Sequence, residues 1–257
     1  MMDRRMFLKI MALAPLGAAG GRLAAAGLEA VDAAELVPPG EPLRAGRWAM
    51  VVDIPKCLET PRCDRCIRAC HEAHNVPAFD EKKYEVKWVW RETFEQVFPG
   101  QVHPYLRSDL KNASLLALCN HCQNPPCVRV CPTQATFQRP DGVVVMDDHR
   151  CIGCRYCMTA CPYGSRSFNW TDPRPHLAKI EPGYPTRTKG VVEKCTFCAE
   201  RLDQGKPPLC VATCPAKALA FGDLSDEASE VRKRLASRFA LRRKQELGTQ
   251  PMVFYLV

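Results

Sequence analysis

The pattern of apolar and polar residues predicts short strands separated by turns. Apolar runs at 47–53, 143–146 and 252–257, each with β-branched residues, predict one strand apiece. The pair Asp141-Gly142 before the second run is typical of a tight turn. Fifteen glycines and twenty-two prolines also favour many turns over long regular elements.

Two longer patterns predict a hairpin and a helix. Residues 84–94 alternate between apolar and polar side chains, and Pro99-Gly100 then supplies a turn, so we expect a β-hairpin with an aromatic face that packs in the core or against another subunit. That face is formed by Tyr84, Val86, Trp88 and Trp90. Residues 224–247 have apolar side chains at helical intervals and end at Gly248, which predicts a C-terminal helix with a solvated face of Arg and Lys.

The first residues resemble a twin-arginine export signal. Arg4 and Arg5 precede Phe7-Leu8-Lys9 and an apolar segment that, at about a dozen residues, is too short for an ordinary membrane span. The alternative is a cytosolic amphipathic or disordered terminus. Because this pathway exports folded protein, metal could be inserted in the reducing cytoplasm before export to the periplasm. We therefore expect a signal peptide at 1–34 and a Pro/Gly linker at 35–46.

Sixteen cysteines would suggest disulfides in an exported protein or metal in a cytosolic one, and their grouping favours metal. The most informative run begins at Cys151, with gaps of two, two and three residues and a final Cys-Pro, as in bacterial ferredoxins. The gap after Cys57 has five residues, so the first group is the least regular. The four groups are Cys57, Cys63, Cys66 and Cys70; Cys119, Cys122, Cys127 and Cys131; Cys151, Cys154, Cys157 and Cys161; Cys195, Cys198, Cys210 and Cys214.

The formal net charge of +8 does not indicate a nucleic-acid-binding protein. Each oxidised [4Fe-4S] cube with four thiolates carries roughly two negative charges, so four cubes would contribute about −8. The basic residues are scattered among the cysteine groups rather than collected in one stripe. They are therefore expected to offset the charge of buried cubes.

Other chemistries fit the sequence less well. A structural zinc protein would need two separate CxxC pairs, and the third closely spaced cysteine of the run from Cys151 fits that pattern poorly. His71 and His74 could be metal ligands, but with four cysteines beside them we favour a hydrogen-bonding or surface role. The chain has no CxxCH haem motif, no phosphate-binding loop and no catalytic constellation that would support a self-sufficient reductase. We expect electron transfer without a substrate site.

Several motifs within residues 48–256 resemble the four-cluster ferredoxin-like subunit of membrane-associated molybdopterin oxidoreductases and related quinone complexes. They are C-N-H-C-Q-N-P-P-C from Cys119, C-I-G-C-R-Y-C from Cys151, K-C-T-F-C from Lys194 and F-G-D-L from Phe221. The resemblance implies an α+β fold of two ferredoxin-like modules, each with two [4Fe-4S] clusters. The expected parts are 47–118 with the hairpin, the middle module 119–180, 181–224 completing the outer module, and a C-terminal helix and strand at 225–257.

The resemblance also implies that distant cysteines share cubes. The first cube would be held by Cys57, Cys63, Cys66 and Cys214, and the second by Cys195, Cys198, Cys210 and Cys70. The third would be held by Cys119, Cys122, Cys127 and Cys161, and the fourth by Cys151, Cys154, Cys157 and Cys131. Because Cys154 is present, all four are expected to be [4Fe-4S] centres.

The widened first gap and the stretch A-C-H-E-A-H-N-V-P are most similar to the periplasmic iron-sulfur subunit of Dsr-type sulfur-metabolism complexes, DsrO. The partners implied are an integral membrane quinone-binding subunit and a multihaem cytochrome c, with the protein attached to the membrane through them. The alternative is the electron-transfer subunit of a molybdopterin reductase for polysulfide, thiosulfate, tetrathionate or nitrite, whose partner would be a molybdopterin catalytic subunit.

Overall fold

The computed structural model describes residues 40–257, and the predicted export signal lies outside the described residues. The strands are β1 Trp48–Asp53, β2 Val89–Thr93, β3 Ser114–Leu118, β4 Thr136–Gln138, β5 Val144–Met146, β6 Ser167–Phe168, β7 Val192–Glu193, β8 Leu219–Asp223, β9 Ala240–Leu241 and β10 Val253–Leu256. The helices are α1 Ile54–Leu58, α2 Arg65–Ala73, α3 Phe94–Val97, α4 Ser108–Lys111, α5 Pro126–Arg129, α6 Tyr156–Ala160, α7 Ala199–Leu202, α8 Leu209–Ala212 and α9 Glu230–Ser237. Short 3-10 turns occupy Lys82–Tyr84, Pro99–Gln101, Arg174–His176 and Gln245–Leu247.

Strand β1 lies inside a four-stranded sheet with the order β8-β1-β10-β9. It runs parallel to β10, with Met50 opposite Val253, and antiparallel to β8. Successive side chains of a strand point to opposite faces, so Met50 joins the main core while Val51 packs with Val231 of α9 on the other face. Burial on both faces explains why this strand reads as a continuous apolar run.

The remaining strands form three two-stranded sheets, β2-β3, β4-β5 and β6-β7. The predicted strands at 47–53, 143–146 and 252–257 are confirmed as β1, β5 and β10. Each observed strand is one residue shorter at one or both ends. Gly142, at a φ of +86°, makes the turn predicted before β5. Mixed short helices and strands agree with the predicted α+β class. The predicted part boundaries remain predictions.

The predicted β-hairpin at 84–94 differs from the structure in its extent. Only Val89–Thr93 forms a strand, and its antiparallel partner is β3, twenty residues further along, after helices α3 and α4. The ladder does not extend back because the Lys87 N–H donates to the Ser167 hydroxyl at 2.8 Å instead of to a neighbouring strand. The expected burial is confirmed for Val86 and Trp88.

The predicted helix over 224–247 is also wrong in extent. Helix α9 covers eight residues, and it begins where Ser229 Oγ accepts a hydrogen bond from the Arg232 N–H. It ends because Arg238 is extended and donates to Asp53 Oδ2 at 2.6 Å, and the following residues pair with β10 as β9. Tertiary contacts therefore override helix propensity here.

Candidate metal centres

The structure groups the sixteen cysteines into four sites. Site A is Cys57, Cys63, Cys66 and Cys214; site B is Cys70, Cys195, Cys198 and Cys210; site C is Cys119, Cys122, Cys127 and Cys161; site D is Cys131, Cys151, Cys154 and Cys157. At sites A, C and D, all four cysteines of the site line a single cavity. In site B, burial and then the nearby thiols of Cys195, Cys210 and Cys198 raise the pKa of Cys70. None of the sixteen, all of which lie in the described residues, forms a disulfide.

Short helices connect the sites in pairs. Helix α2 carries Cys66 toward site A and, one turn later, Cys70 toward site B. Helix α8 contains Cys210 of site B and is followed by Cys214 of site A. In the same way α5 and α6 each contain one cysteine of one site and precede a cysteine of the other, which links C with D. Each pair of sites is thus built from two segments that exchange their last cysteine.

The loops between paired cysteines use left-handed backbone to turn both thiols toward one point. His121, Arg155 and Phe197 have φ values of 41°, 62° and 55°. Gly153, at φ +68°, also lies where a Cβ atom would come within 2.4 Å of the Gly190 carbonyl oxygen. Glycine is required at that position by both the backbone angle and the close approach.

Burial makes these thiols costly to ionise in the absence of metal. Burial and neighbouring cysteines raise the pKa of Cys66 and of Cys122 to about 12. A metal centre needs thiolates, so binding would release protons and stabilise the folded protein. Four converging thiols at each site fit the thiolate coordination of a [4Fe-4S] cube.

Hydrogen-bond donors already point at several sulfur atoms. The Phe197 N–H donates to Cys195 Sγ and the Leu209 N–H to Cys198 Sγ, each at 3.4 Å. Arg166 Nη2 donates to Cys127 Sγ at 3.1 Å, a charge-assisted bond. Donors of this kind stabilise thiolates and tune the potential of a cluster.

The two histidines form hydrogen bonds, as predicted. His71 Nε2 lies 3.0 Å from the Val89 carbonyl oxygen, and His74 Nε2 lies 3.0 Å from Glu200 Oε1. His74 is 1% exposed, so the surface alternative is wrong for it. Burial lowers the pKa of His74, but hydrogen bonds to Cys198 and Glu200 outweigh burial and raise it to about 9.

The side chains of His74, Cys198 and Glu200 offer ligand atoms within 4.8 Å of one another. Sequence reasoning missed Glu200, because nothing in the sequence signals a partner 126 residues from His74. A single metal ion at this trio would compete with site B for Cys198. The cysteine count alone therefore favours one cluster rather than a separate mononuclear site.

Comparison with known proteins identifies the chemistry. Residues 113–176 and 182–224 match the model of the 4Fe-4S dicluster domain. The sequence is 40% identical to the Hdr-like menaquinol oxidoreductase iron-sulfur subunit 1 of Archaeoglobus fulgidus, over 99% of this protein and 98% of that one. It is 38% identical to one subunit of the tetrathionate reductase of Salmonella typhimurium, over 90% and 82%, and 35% identical to one chain of the polysulfide reductase of Wolinella succinogenes, over 82% and 94%.

These matches and the sixteen cysteines establish four [4Fe-4S] clusters as the cofactors. When bound, the clusters supply reversible one-electron chemistry. In the part of the chain that the structure describes, no helix is both long and apolar enough to cross a membrane.

Proposed function

The protein belongs to the family of electron-transfer iron-sulfur subunits of quinone-linked oxidoreductase complexes, and from this premise we propose that sites A, B, C and D hold its four clusters in a row. The observation that carries this proposal is the exchange of cysteines between distant groups. Cys214 lines the same cavity as Cys57, and Cys161 lines the same cavity as Cys119. Neither pairing follows from closeness in sequence.

The order of the sites follows from what lies between them. Sites A and B share helices α2 and α8, and sites C and D share α5 and α6. Sites B and C meet where the ring of His121, from the Cys119 loop, stacks on Phe197, from the Cys195 loop, with centroids 3.6 Å apart. Electrons would therefore pass along A, B, C and D, in either direction.

Apolar side chains surround site D at the surface. Ile152 is 67% exposed and Tyr156 63%, and both lie between cysteines of this site. Arg155 extends the patch by lying over the Trp170 ring at 4.7 Å. Exposed apolar groups gathered beside a redox centre are typical of a protein contact, so we propose that a partner subunit of the complex docks at this end.

We further propose that the protein works in the periplasm as the relay of a Dsr-type complex, between a quinone-binding membrane subunit and a multihaem cytochrome c. The nearly full-length match to a subunit of a menaquinol oxidoreductase favours this over the electron-transfer subunit of a molybdopterin reductase. The matches to components of tetrathionate and polysulfide reductases keep the second function as the alternative.

Metal analysis tests the cluster proposal. Protein purified without oxygen is expected to contain about sixteen iron atoms and as much acid-labile sulfide, four of each per cube. About twelve irons would mean that site A, with its irregular spacing, holds no cube. Zinc in place of iron would contradict electron transfer altogether.

Purification of the intact complex tests the partners. A tagged protein is expected to bring down a membrane subunit and a protein with the absorption of c-type haem, and its clusters should be reduced by menaquinol in that complex. Recovery of a molybdopterin subunit without haem would favour the alternative.

Replacement of Arg4 and Arg5 by lysine tests the export signal. A loaded, folded protein is expected to remain in the cytoplasm, because paired arginines act as an address and not as part of the fold. Normal export of the double variant would contradict the periplasmic assignment.

A further inference from the structure

Four lysine and arginine side chains are buried in residues 40–257, and three of them have no acidic partner there. They are Arg166, Arg187, Lys194 and Arg243, each 4% exposed or less. Arg187 pairs with Glu193 at 2.6 Å, with both side chains 2% exposed. The other buried carboxylate of these residues, Asp53, pairs with Arg238. Burying a charge is expensive unless an opposite charge lies nearby, so the unpaired three require a different counter-charge.

One of these three cations contacts a cysteine of site C directly, and a second lies between sites B and C. Arg166 lines the cavity, and its Nη2 atom donates to Cys127 Sγ at 3.1 Å and to Thr136 Oγ1 at 2.7 Å. Lys194 donates to the carbonyl oxygen of Val144, which lines site C, and to that of Cys195, a cysteine of site B.

The third cation approaches the same cavity from behind Tyr163. The Arg243 guanidinium lies 5.4 Å from the centre of the Tyr163 ring, and Tyr163 lines site C. Arg243 Nε and Nη1 have no hydrogen-bond partner in the described residues. A guanidinium stays charged at all relevant pH values, so Arg166 and Arg243 are permanent positive charges beside one site.

The other sites have less positive surroundings in the described part of the chain. Arg91, beside site A, is only half-buried and donates to the carbonyl oxygens of Cys63 and Ser114. Near site B, the charge of His74 is offset by Glu200, and Lys194 is shared with site C. Arg166 also lies beside Cys157 of site D, but that site has three half-buried cysteines, so solvent screens its surroundings more strongly.

We propose that Arg166, Lys194 and Arg243 make the cube of site C the highest-potential centre of the four, and so the place where a single electron rests within the relay. This inference rests on the proposed ligand sets. Reduction adds one electron from a neighbouring cube and changes the core charge by one unit, and no bond or proton is transferred. Buried positive charge favours the more negative, reduced form.

Redox titration followed by electron paramagnetic resonance tests this inference. In the unaltered protein, one centre will be reduced first. Arg166→Gln and Arg243→Gln are each expected to lower the potential of that same centre, Arg166→Gln by at least a tenfold change in the ratio of reduced to oxidised cube, about 59 mV for one electron. Arg166→Lys, which keeps the charge, is expected to restore most of the shift.

Arg91→Gln is the matched control, because it removes a cation beside another site. It is expected to move a different, lower-potential centre. The inference is overturned if Arg166→Gln and Arg243→Gln retain about sixteen irons yet leave the first-reduced centre unchanged, or if Arg91→Gln shifts that centre as much as they do. If the unaltered protein contains clearly fewer than sixteen irons, the cluster proposal itself is contradicted instead. If Arg166→Gln does not fold, the more distant Arg243→Gln decides the question alone.

Discussion

Sites B and D differ in the surroundings that they give to the same ligand set. The cysteines of site B are 3–6% exposed, and Cys70, Cys195 and Cys210 belong to the main hydrophobic core. In site D only Cys157 is buried, and a small separate cluster of apolar residues packs around it. The cube of site B is therefore part of the core, whereas the cube of site D lies near the surface, where a partner can reach it.

The largest expected effect comes from removing one ligand at each of these sites. Cys210→Ala is expected to abolish the site B cube and destabilise the whole fold by several kcal/mol, because the metal-binding free energy is then lost from the core itself. Cys154→Ala should lose the site D cube while the rest of the protein stays folded. Anaerobic denaturant unfolding and iron content measure both. Equal destabilisation by the two variants would remove the distinction between core and surface sites.

Local chemistry explains what could be predicted from the sequence. The spacing that directs neighbouring cysteines to one metal is a property of a few consecutive residues. Strand β1 is apolar from Trp48 to Val52 because both of its faces are covered. The exchange of Cys161 and Cys131 between groups was implied only by the resemblance to a family and by the geometry of the ferredoxin repeat. Spacing alone cannot tell which cube a cysteine at the end of a helix will reach.

The errors and omissions came from contacts between distant residues. The end of α9 depends on the ion pair of Arg238 with Asp53, 185 residues away, so helical periodicity alone could not indicate it. The partner of β2 likewise lies beyond two helices. Arg166 and Arg243 do not stand out in the sequence, because only the folded structure shows that no carboxylate of residues 40–257 pairs with them.

An intermediate effect is expected when the exchanged cysteines of sites C and D are altered. Cys161→Ser is expected to perturb the cube held with Cys119, although Cys161 is ten residues from Cys151, because it lines the site C cavity. Cys131→Ser should perturb the site D cube instead. Electron paramagnetic resonance during redox titration would identify the affected centre, with small shifts in the neighbouring cube because the two interact.

A different outcome would contradict this sharing. If Cys161→Ser and Cys154→Ser damaged one centre and Cys131→Ser another, each consecutive group would hold its own cube. Sites C and D would then have to be redefined, and the difference between core and surface sites would need a new basis.

The smallest expected effect concerns Asp148, three residues before site D begins at Cys151. Burial, together with the nearby charge of Glu193, raises the pKa of this carboxyl group from 3.8 to about 6 against the opposing charge of Arg187. Because the folded pKa is above the unfolded value, the folded protein binds more protons, and stability falls as the pH rises from about 4 to about 6. Above that range the charged Asp148 lowers the free energy of unfolding by a constant amount, about 1 kcal/mol once partial exposure is allowed for.

Asp148→Asn is therefore expected to raise the free energy of unfolding of the loaded protein at pH 8, and the gain should shrink as the pH falls to 5. Asp147→Asn is the control, because Asp147 forms a surface ion pair with Arg150 at 3.2 Å that is worth a few tenths of a kcal/mol. The same gain from Asp148→Asn at both pH values would mean that the carboxylate is not penalised by burial. A gain confined to high pH would show that the segment leading to site D tolerates an unfavourable charge. A half-exposed site can accommodate such a charge more easily than the enclosed core around site B, because solvent screens it.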